Sequence, residues 1–391
     1  MPMSTSPPNA SHSKTTRCPA RGKLEPDASG VWHAYSHADI KALLRLDGTR
    51  QAGFKAELVG KMPRGIRLPV LYQEGTEHRT QRSEIAKFFT PATISKSYRP
   101  FMEGLADALV ADLKRTKQAD LSALSMTLAV QVAAQVVGLT DSRLPGMDQR
   151  IDSFFDQPRD NASRLERSLK LVLNQWRMAK FYLLDVRPAI AARRKAPRED
   201  VISHLLSKGY KDLEILTECV TYGAAGMATT REFISVAAWH LLEDPELRAN
   251  YLAGDEAARH RLLQELLRLE PVVGHLYRTA ERDLTLERAG EPVTIPAGAR
   301  IDLHIAAANT DTEAVGPEPH CIRARALAQP AAMSFGDGHH RCPGAYIAIF
   351  ESEIFLQRLL ALDLRIVKPP TVSFSDLTQG YELRDFIVAV V

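Results

Sequence analysis

Apolar residues recur at the period of a helix, about 3.6 positions, over most of the chain up to Leu269. The predicted helices span Ala38–Leu46, Glu77–Phe89, Tyr98–Lys114, Leu121–Gly138, Leu165–Ala192, Val201–Leu206, about Asp212–Leu242 and Glu256–Leu269. Between Leu284 and Ile305 apolar and polar residues alternate instead, which predicts short strands around a turn at Ala289-Gly290. A last helix is predicted just past Cys342. We therefore expect one mainly α domain with a small β region.

Composition and charge narrow the range of partners. The 391 residues include 50 basic and 47 acidic side chains, a balance that gives no reason to expect a nucleic-acid or membrane partner. Residues 1–22 are rich in Ser, Thr and Pro and predict a disordered tail, which leaves residues 23–391 as the folded domain. The segment Leu121–Leu139 is apolar but contains several Ser, Thr and Gln residues, so it predicts a buried core helix and no membrane span.

The four cysteines indicate a reducing environment. They lie at positions 18, 219, 321 and 342, and none forms a Cys-x-x-Cys pair. A chain of this length with so few cysteines is not a disulfide scaffold, and we expect it in the cytoplasm.

Residues 335–344 carry the most specific chemistry. They read Phe-Gly-Asp-Gly-His-His-Arg-Cys-Pro-Gly and precede the apolar last helix. Pro343 suits the first position of a helix, so we expect Cys342 at a helix N-terminus, where the dipole favours a thiolate. Three glycines let the backbone approach a flat, bulky group. These features predict an axial thiolate ligand for iron.

Two other interpretations of this loop remain open. A single cysteine is often a small core residue. His339 and His340 together with Cys342 also offer zinc ligands, although a zinc site normally needs a second ligand cluster, which the remaining histidines and cysteines do not supply.

The loop resembles the cytochrome P-450 signature Phe-Gly-x-Gly-x-His-x-Cys-x-Gly and matches it at every fixed position. The resemblance covers about residues 30–391 and implies the single-domain cytochrome P-450 architecture. It implies that Cys342 is the metal ligand of haem b. It also implies that Phe335 shields the sulfur, Gly336 lies against the haem, and His340 reaches a propionate.

Glu265 and Arg268 lie three positions apart on one helix face. Such a pair is often a solvated surface ion pair, but it also resembles the family's Glu-x-x-Arg structural pair. The family normally completes this cluster with an Arg or His from the segment before the cysteine loop. Here Cys321 stands at that position, between His320 and Arg323, so the third partner is unassigned.

Two further segments resemble the family's propionate-binding residues. His78 and Arg82 lie four apart on one helix face, which by itself is also consistent with an ordinary polar surface. Arg278, in the segment His-Leu-Tyr-Arg, resembles the remaining propionate arginine. Two buried carboxylates require several cationic or donor groups, which these residues supply.

The long predicted helix carries no charge from Cys219 to Thr230, which suits a helix that crosses a protein interior. Ala225 and Gly226 would allow haem and dioxygen close to the backbone. Thr229 resembles the family's distal threonine, whose hydroxyl helps to deliver protons to dioxygen. A hydroxyl that bonds back to its own helix is the structural alternative.

One position departs from the family pattern. An acid usually precedes the distal threonine, and here the residue is Ala228. Three explanations remain open. Glu232, four positions on, relays the protons through water, or the substrate supplies the missing polar group. In the third, the enzyme uses peroxide or an atypical oxidation such as coupling or nitration.

The resemblance implies a monooxygenase that inserts an oxygen atom from O2 into a small or medium-sized apolar substrate. Electrons are expected from a ferredoxin-type or flavodoxin-type donor with its reductase. The positively charged loop with Arg341 is the expected docking face for this donor. The alternatives are a peroxide-driven enzyme, a non-catalytic haem sensor and a zinc-binding structural protein. The resemblance also implies which residues contact the substrate. They are Ala225, Thr229, the stretch Val272–His275 with Val272 itself, the stretch Gly53–Tyr72, and the turn near Gly380.

Overall fold

The helices follow the predicted apolar periodicity closely. The computed structural model describes residues 13–15, 21–54, 56, 65–153, 164–288, 291–322 and 332–391. Its principal α-helices are α1 His37–Arg45, α2 Gly75–Ile85, α3 Arg99–Thr116, α4 Leu121–Val137, α5 Met147–Asp152, α6 Arg164–Phe181, α7 Arg187–Lys195, α8 Val201–Ser207, α9 Asp212–Gly223, α10 Thr229–Glu243, α11 Pro245–Ala253, α12 Glu256–Leu269, α13 Ile305–Asn309 and α14 Ala345–Leu360. The described residues also include three π-helical segments, Ile94–Tyr98, Tyr182–Val186 and Ala224–Ala228.

Side-chain caps explain where several helices begin. The Ser36 hydroxyl accepts a hydrogen bond of 3.1 Å from the Asp39 amide at the start of α1, a contact of a kind that typically contributes ~1 kcal/mol. Helix α11, which the apolar pattern did not predict, begins with the cap Asp244 followed by Pro245 in the first turn. Proline at this position costs the helix no hydrogen bond, so the dipeptide was the available signal.

Among the described residues, the strands form four small sheets. They are β1 Glu25–Pro26, β2 Trp32–Ala34, β3 Thr49–Gln51, β4 Gln118–Asp120, β5 His275–Ala280, β6 Leu284–Arg288, β7 Glu291–Ile295, β8 Arg300–His304, β9 Leu364–Lys368, β10 Thr371–Ser375, β11 Gly380–Arg384 and β12 Ile387–Val390. The largest sheet has the order β1-β2-β8-β5-β3, the next has the order β4-β12-β9, and β6–β7 and β10–β11 are hairpins. The predicted strands at 284–305 are confirmed in β6, β7 and β8, whereas β1 to β5 and the C-terminal strands β9 to β12 were not predicted. The predicted turn at Ala289-Gly290 lies outside the described residues.

The chain divides into two compact units. The first contains residues up to 63, 106–122 and 232–391, and the second contains 64–105 and 123–231. In the first unit, one face of the five-stranded sheet packs on an apolar core with α1, in which Ala34, Leu43, Ile301 and Leu303 are fully buried. Because strand side chains alternate between the two faces, the residues between these core positions point to the opposite face. The second unit contains α2 and α5 to α9.

Part of the predicted tail is held against the first unit. Ser13 and the Lys14 amide donate to the two oxygens of Glu270, at 2.9 and 2.6 Å, and Thr15 also donates to this carboxylate. Glu270 is fully buried. The expectation of a disordered tail therefore does not extend to residues 13–15, while residues 1–12 and 16–20 lie outside the described part of the chain.

Candidate functional site

The cysteine loop of the first unit is closed by hydrogen bonds between backbone groups. The Cys342 amide donates to the Phe335 carbonyl over 2.9 Å. Gly336 and Gly338 both have positive φ, 66° and 65°, a conformation that L-residues with a side chain adopt rarely. A Cβ at Gly338 would also lie 2.0 Å from the Leu44 carbonyl oxygen of α1. The two glycines of the signature are therefore required by this fold of the loop.

The last helix begins later than predicted. Gly344 is the cap of α14 and Ala345 its first residue, so the prediction that Pro343 opens the helix is wrong, and Cys342 lies three positions before it. The physical reason is that residues 343 and 344 form a turn. Cys342 is half-buried and forms no disulfide, and a Cβ placed on Gly344 would lie 3.9 Å from its Sγ.

Glu265 and Arg268 form a buried bidentate ion pair, not a surface pair. Arg268 Nε and Nη2 donate to the two carboxylate oxygens at 2.9 and 2.8 Å, and the two side chains are only 3% and 1% exposed. Arg268 Nη1 also donates to the carbonyls of Asn309 and Pro319, each at 2.7 Å. Backbone carbonyls from the segment before the cysteine loop thus complete the arginine's hydrogen bonding.

Asn309 is a connecting residue that the sequence analysis missed. It is fully buried. Its side-chain Nδ2 donates to the Arg268 carbonyl and to the Ser334 hydroxyl, at 3.0 and 2.8 Å, and its side-chain Oδ1 accepts from the Met333 amide at 2.6 Å. It therefore links α12 and α13 to the start of the cysteine loop. Cys321, at the position of the family's third partner, is half-buried, and Arg323 lies outside the described residues.

Arg278 lies on the core face of β5. Its side chain is 3% exposed, and Nη1 donates to the Gln51 side chain on β3 and to the Tyr277 carbonyl. His340 ends a short 3₁₀ turn, Gly338–His340, and is half-buried. The first unit therefore presents a thiol, a buried guanidinium and an imidazole.

Two of the predicted substrate-contact segments lie side by side in the first unit. The Gly274 amide donates to the Thr378 carbonyl over 3.0 Å. A Cβ on Gly380 would lie 1.8 Å from the Val272 carbonyl oxygen, and one on Gly274 would lie 2.0 Å from the Gln379 carbonyl oxygen. The backbones of these segments can pack only because both positions are glycine. Val272 itself is 6% exposed, and residues 55 and 57–64 of the stretch Gly53–Tyr72 lie outside the described part.

The Glu232 carboxylate, which the sequence analysis nominated as a proton relay, is 3% exposed. One oxygen accepts from the Leu383 amide and the other from Arg384 Nη1, both at 2.7 Å. These bonds tie α10 to β11. The relay role stays a prediction, and it would have to coexist with these two contacts.

The second unit holds His78 and Arg82 on the inward face of α2. His78 is 2% exposed and Arg82 is half-buried, while Glu77, Arg79 and Ser83 on the other face are exposed or intermediate. Helices normally turn their charged side chains outward. The inward direction of this pair is thus unlike the ordinary polar surface that the sequence left open.

A buried carboxylate supports the position of α2. Glu218 of α9 accepts hydrogen bonds from Gln81 Nε2 at 2.6 Å and from the Val70 amide at 2.9 Å. Its second oxygen has no hydrogen-bond partner among the described residues. Burial is the largest effect and raises the pKa of Glu218 from 4.5 to about 7, although the two hydrogen bonds oppose it.

We expect Glu218→Gln to stabilise the protein at pH 8. The folded pKa lies above the unfolded pKa, so the unfolded state releases its proton first and the parent loses stability as the pH rises from about 4.5 to about 7. The variant avoids a loss of up to ~3 kcal/mol at pH 8 and about 1 kcal/mol at pH 5. Thermal unfolding at both pH values measures this difference. An equal gain at both pH values would show that the effect is steric and not a matter of ionisation.

The long helix contains a π-helical segment at its small residues. Ala224–Ala228 separates α9 from α10, and π segments inside helices are frequent at functional sites. Ala225 is exposed, whereas Gly223 and Met227 beside it are buried. The Thr229 hydroxyl donates to the Ala225 carbonyl at 2.6 Å, and Thr229 itself is half-buried. This bond is the back-bonding that the sequence left as the alternative for Thr229.

The donors of each unit, taken separately, fit a haem in their chemistry. A thiol without a disulfide partner lies in a loop that glycines shape, and thiolate is the ligand class of haem-thiolate enzymes. The described part of each unit adds buried or half-buried nitrogen donors of the kind that propionates need. These donors are His78, Arg82, Arg278 and His340.

Comparison with known proteins gives a consistent result. The family model described as Cytochrome P450 matches residues 260–362. "Erythromycin C-12 hydroxylase" of Saccharopolyspora erythraea is 28% identical over 86% of this chain and 82% of its own length. "Biotin biosynthesis cytochrome P-450" of Bacillus subtilis is 28% identical over 80% of this chain and 75% of its own length.

Solved structures agree in fold. Cytochrome P-450 BioI, solved with an acyl carrier protein ligated to hexadec-9Z-enoic acid, superposes with a TM-score of 0.76 at 22% identity, over 95% of this chain and 94% of its own. A mutant of cytochrome P-450 EryK in complex with erythromycin B superposes with a TM-score of 0.73 at 25% identity, over 94% and 92%. Among the described residues, no helix is long and apolar enough to cross a membrane.

Proposed function

Because the chain belongs to the cytochrome P-450 family and is an oxidoreductase of the monooxygenase type, we propose that it inserts one oxygen atom from O2 into a small or medium-sized apolar organic substrate. The observation that carries this proposal is the Cys342 loop. Its thiol is half-buried and forms no disulfide, and two glycines with positive φ set the shape of the loop. Haem b, when bound, supplies the binding and activation of dioxygen.

We propose that Cys342 is the iron ligand, that Phe335 and Gly336 lie beside the thiolate, and that the inward-facing nitrogen donors bind the propionates. The buried guanidinium of Arg278 is already oriented by Gln51, so it is held in place for a carboxylate. Ala225 and Gly226, the small residues of the π segment, would let a flat group and dioxygen approach the helix backbone closely.

Proton delivery is assigned to Thr229 and to water or a polar substrate group beside it. Ala228 has no proton to give, and both oxygens of Glu232 already accept hydrogen bonds. We propose that Glu232 chiefly positions β11, which begins at the Gly380 turn. We propose that the segments around Val272 and Gly380 shape the substrate pocket. Their backbones pack so closely that each fixes the position of the other.

We expect Thr229→Ala to reduce the product formed per electron pair by up to ~100-fold, the lower range for loss of a proton-transfer group. Hydrogen peroxide released and product formed are measured against electrons consumed. Thr221→Ala is the matched control, because the Thr221 hydroxyl makes the same bond to a carbonyl four residues back, Thr217 at 2.8 Å. If both variants lose coupling equally, the Thr229 hydroxyl serves only the helix.

The main rival is a peroxide-driven enzyme, which Ala228 favours. The test compares product from reduced donor plus O2 with product from hydrogen peroxide alone, in the parent and in Ala228→Asp. If the parent forms more product with reduced donor and O2 than with peroxide alone, the monooxygenase is supported. This donor-driven turnover should then increase in Ala228→Asp. Product from peroxide only, unchanged by the new acid, would replace this proposal with a peroxygenase or an atypical oxidation.

A ferredoxin-type or flavodoxin-type donor with its reductase is proposed as the electron source, docking near the exposed Arg341. The three described cysteines form no disulfide, which supports a reducing compartment such as the cytoplasm. A haem sensor would show no turnover with any donor, and a zinc protein would contain zinc and no Soret band.

A further inference from the structure

Three histidines surround one aspartate on the outer face of the five-stranded sheet. Asp302 of β8 pairs in register with His33 of the parallel β2, and His304 of β8 pairs with His275 of the antiparallel β5. Because side chains alternate along strands, all four lie on one face, opposite the core face that carries Leu303, Ile301 and Arg278. Sequence periodicity gave no sign of this cluster, because its members come from three separate segments.

We propose that His33, Asp302 and His304 bind a divalent transition-metal ion of the zinc type, independently of the haem chemistry. The three ligand atoms are His33 Nδ1, Asp302 Oδ2 and His304 Nε2. They lie within 4.8 Å of one another, with separations of 2.9 Å between the two nitrogens and 3.6 Å from each nitrogen to the oxygen. Ligands at ~2.1 Å around a tetrahedral ion are ~3.4 Å apart, so the observed triangle needs little adjustment.

Neighbouring groups orient the ligands as in known metal sites. Asp27 Oδ2 lies 3.3 Å from His33 Nε2, and a carboxylate on the far nitrogen directs the other nitrogen toward a metal. His275 Nδ1 lies 2.8 and 3.0 Å from the two oxygens of Asp302 and fixes that carboxylate. The Tyr35 ring stacks on His304 with centroids 4.2 Å apart and holds the imidazole plane.

Burial and charge also suit a cation. Asp302 is 6% exposed, yet the described groups that form its ion pairs are all imidazoles. A buried carboxylate normally pairs with a full positive charge. The side chains of His33 and His304 are 22% and 15% exposed, which leaves an entry path. Imidazole and carboxylate together favour zinc and neighbouring transition metals over calcium or magnesium.

The metal would act as a clamp. It would replace the hydrogen now shared by the two imidazole nitrogens and join β2, near the start of the chain, to β8. His275, the outer partner that bonds to Asp302, is on β5, three residues before Arg278, which lies on the other face. Binding to the folded state alone raises the melting temperature by mass action.

The test is a Zn²⁺ titration of tag-free, haem-loaded protein after treatment with a chelator. We expect one ion per chain and a rise in melting temperature of about 3 °C at a hundredfold excess over Kd. Zinc-edge X-ray absorption should show nitrogen and oxygen neighbours at ~2.0–2.1 Å and no sulfur. Asp302→Asn and His304→Asn should each weaken binding more than ~100-fold, beyond the loss that His275→Gln causes by removing an outer partner.

His204→Asn is the matched control, because His204 is also half-buried and paired with a carboxylate, Glu84 at 3.4 Å. The zinc affinity of the His204→Asn variant should equal that of the parent. Absence of saturable binding would show a hydrogen-bonded cluster only. Sulfur neighbours, or affinity unchanged in Asp302→Asn and His304→Asn, would place the ion elsewhere and overturn the proposal. The absorption measurement uses the parent alone and so does not depend on how the variants fold.

Discussion

Cys342→His abolishes the strongly red-shifted Soret band of the reduced carbon-monoxide complex and lowers turnover at least ~100-fold, since even loss of a partner outside the metal's ligands can cost that much. The red shift reports electron donation from a thiolate, which imidazole does not provide. The measurement is the difference spectrum of dithionite-reduced protein with carbon monoxide, recorded beside the product assay. The loop backbone should survive, because its closure depends on the Cys342 amide and the Phe335 carbonyl.

Cys321→Ser is the matched control for this experiment. Like Cys342, Cys321 is half-buried and forms no disulfide, so its replacement tests whether the band depends on any accessible thiol. Cys219 is a weaker candidate, because burial raises the pKa of its thiol far above the ordinary range. A red-shifted band that survives in Cys342→His, or that disappears in Cys321→Ser, would remove Cys342 as the iron ligand.

Arg268→Met is expected to have the largest effect on stability. It leaves the 3% exposed Glu265 carboxylate without its cation, and breaking a buried pair in this way costs ~3–5 kcal/mol. With an unfolding entropy of about 2.1 cal/mol/K per residue, a loss of ~4 kcal/mol lowers the melting temperature of a chain this long by about 5 °C. Because Asn309 bonds to both Arg268 and the segment before Cys342, haem retention should fall as well.

Arg115→Met provides the comparison at the surface. Arg115 pairs with Asp112 at the same spacing of three, but the two side chains are 74% and 54% exposed. Exposed pairs of this kind contribute less than ~1 kcal/mol, so the melting temperature should change by about 1 °C or less. Equal losses in the two variants would mean that burial does not distinguish the Glu265–Arg268 pair.

Local patterns in the sequence determined most helices and the identity of the cysteine loop. Apolar periodicity predicted the run from Asp212 into α10, because a helix buries one stripe of its own residues. The signature of residues 335–344 was readable because the positive φ of its glycines and the position of its cysteine are properties of one short segment. The Asp244-Pro245 start of α11 is an equally local signal, a side-chain cap followed by proline in the first turn.

Only the tertiary structure decided which distant residues meet. Asn309 became a connecting residue because α13 packs beside α12, and no local pattern marks an asparagine for that role. Glu232 lies 151 positions from the Leu383 amide that it accepts from. His33 and His304 are 271 positions apart and come together through the pairing of β2 with β8. The period of a strand tells which residues share a face. The order and register of the strands, however, are set by packing across the whole unit, and this packing decided which distant residues make contact.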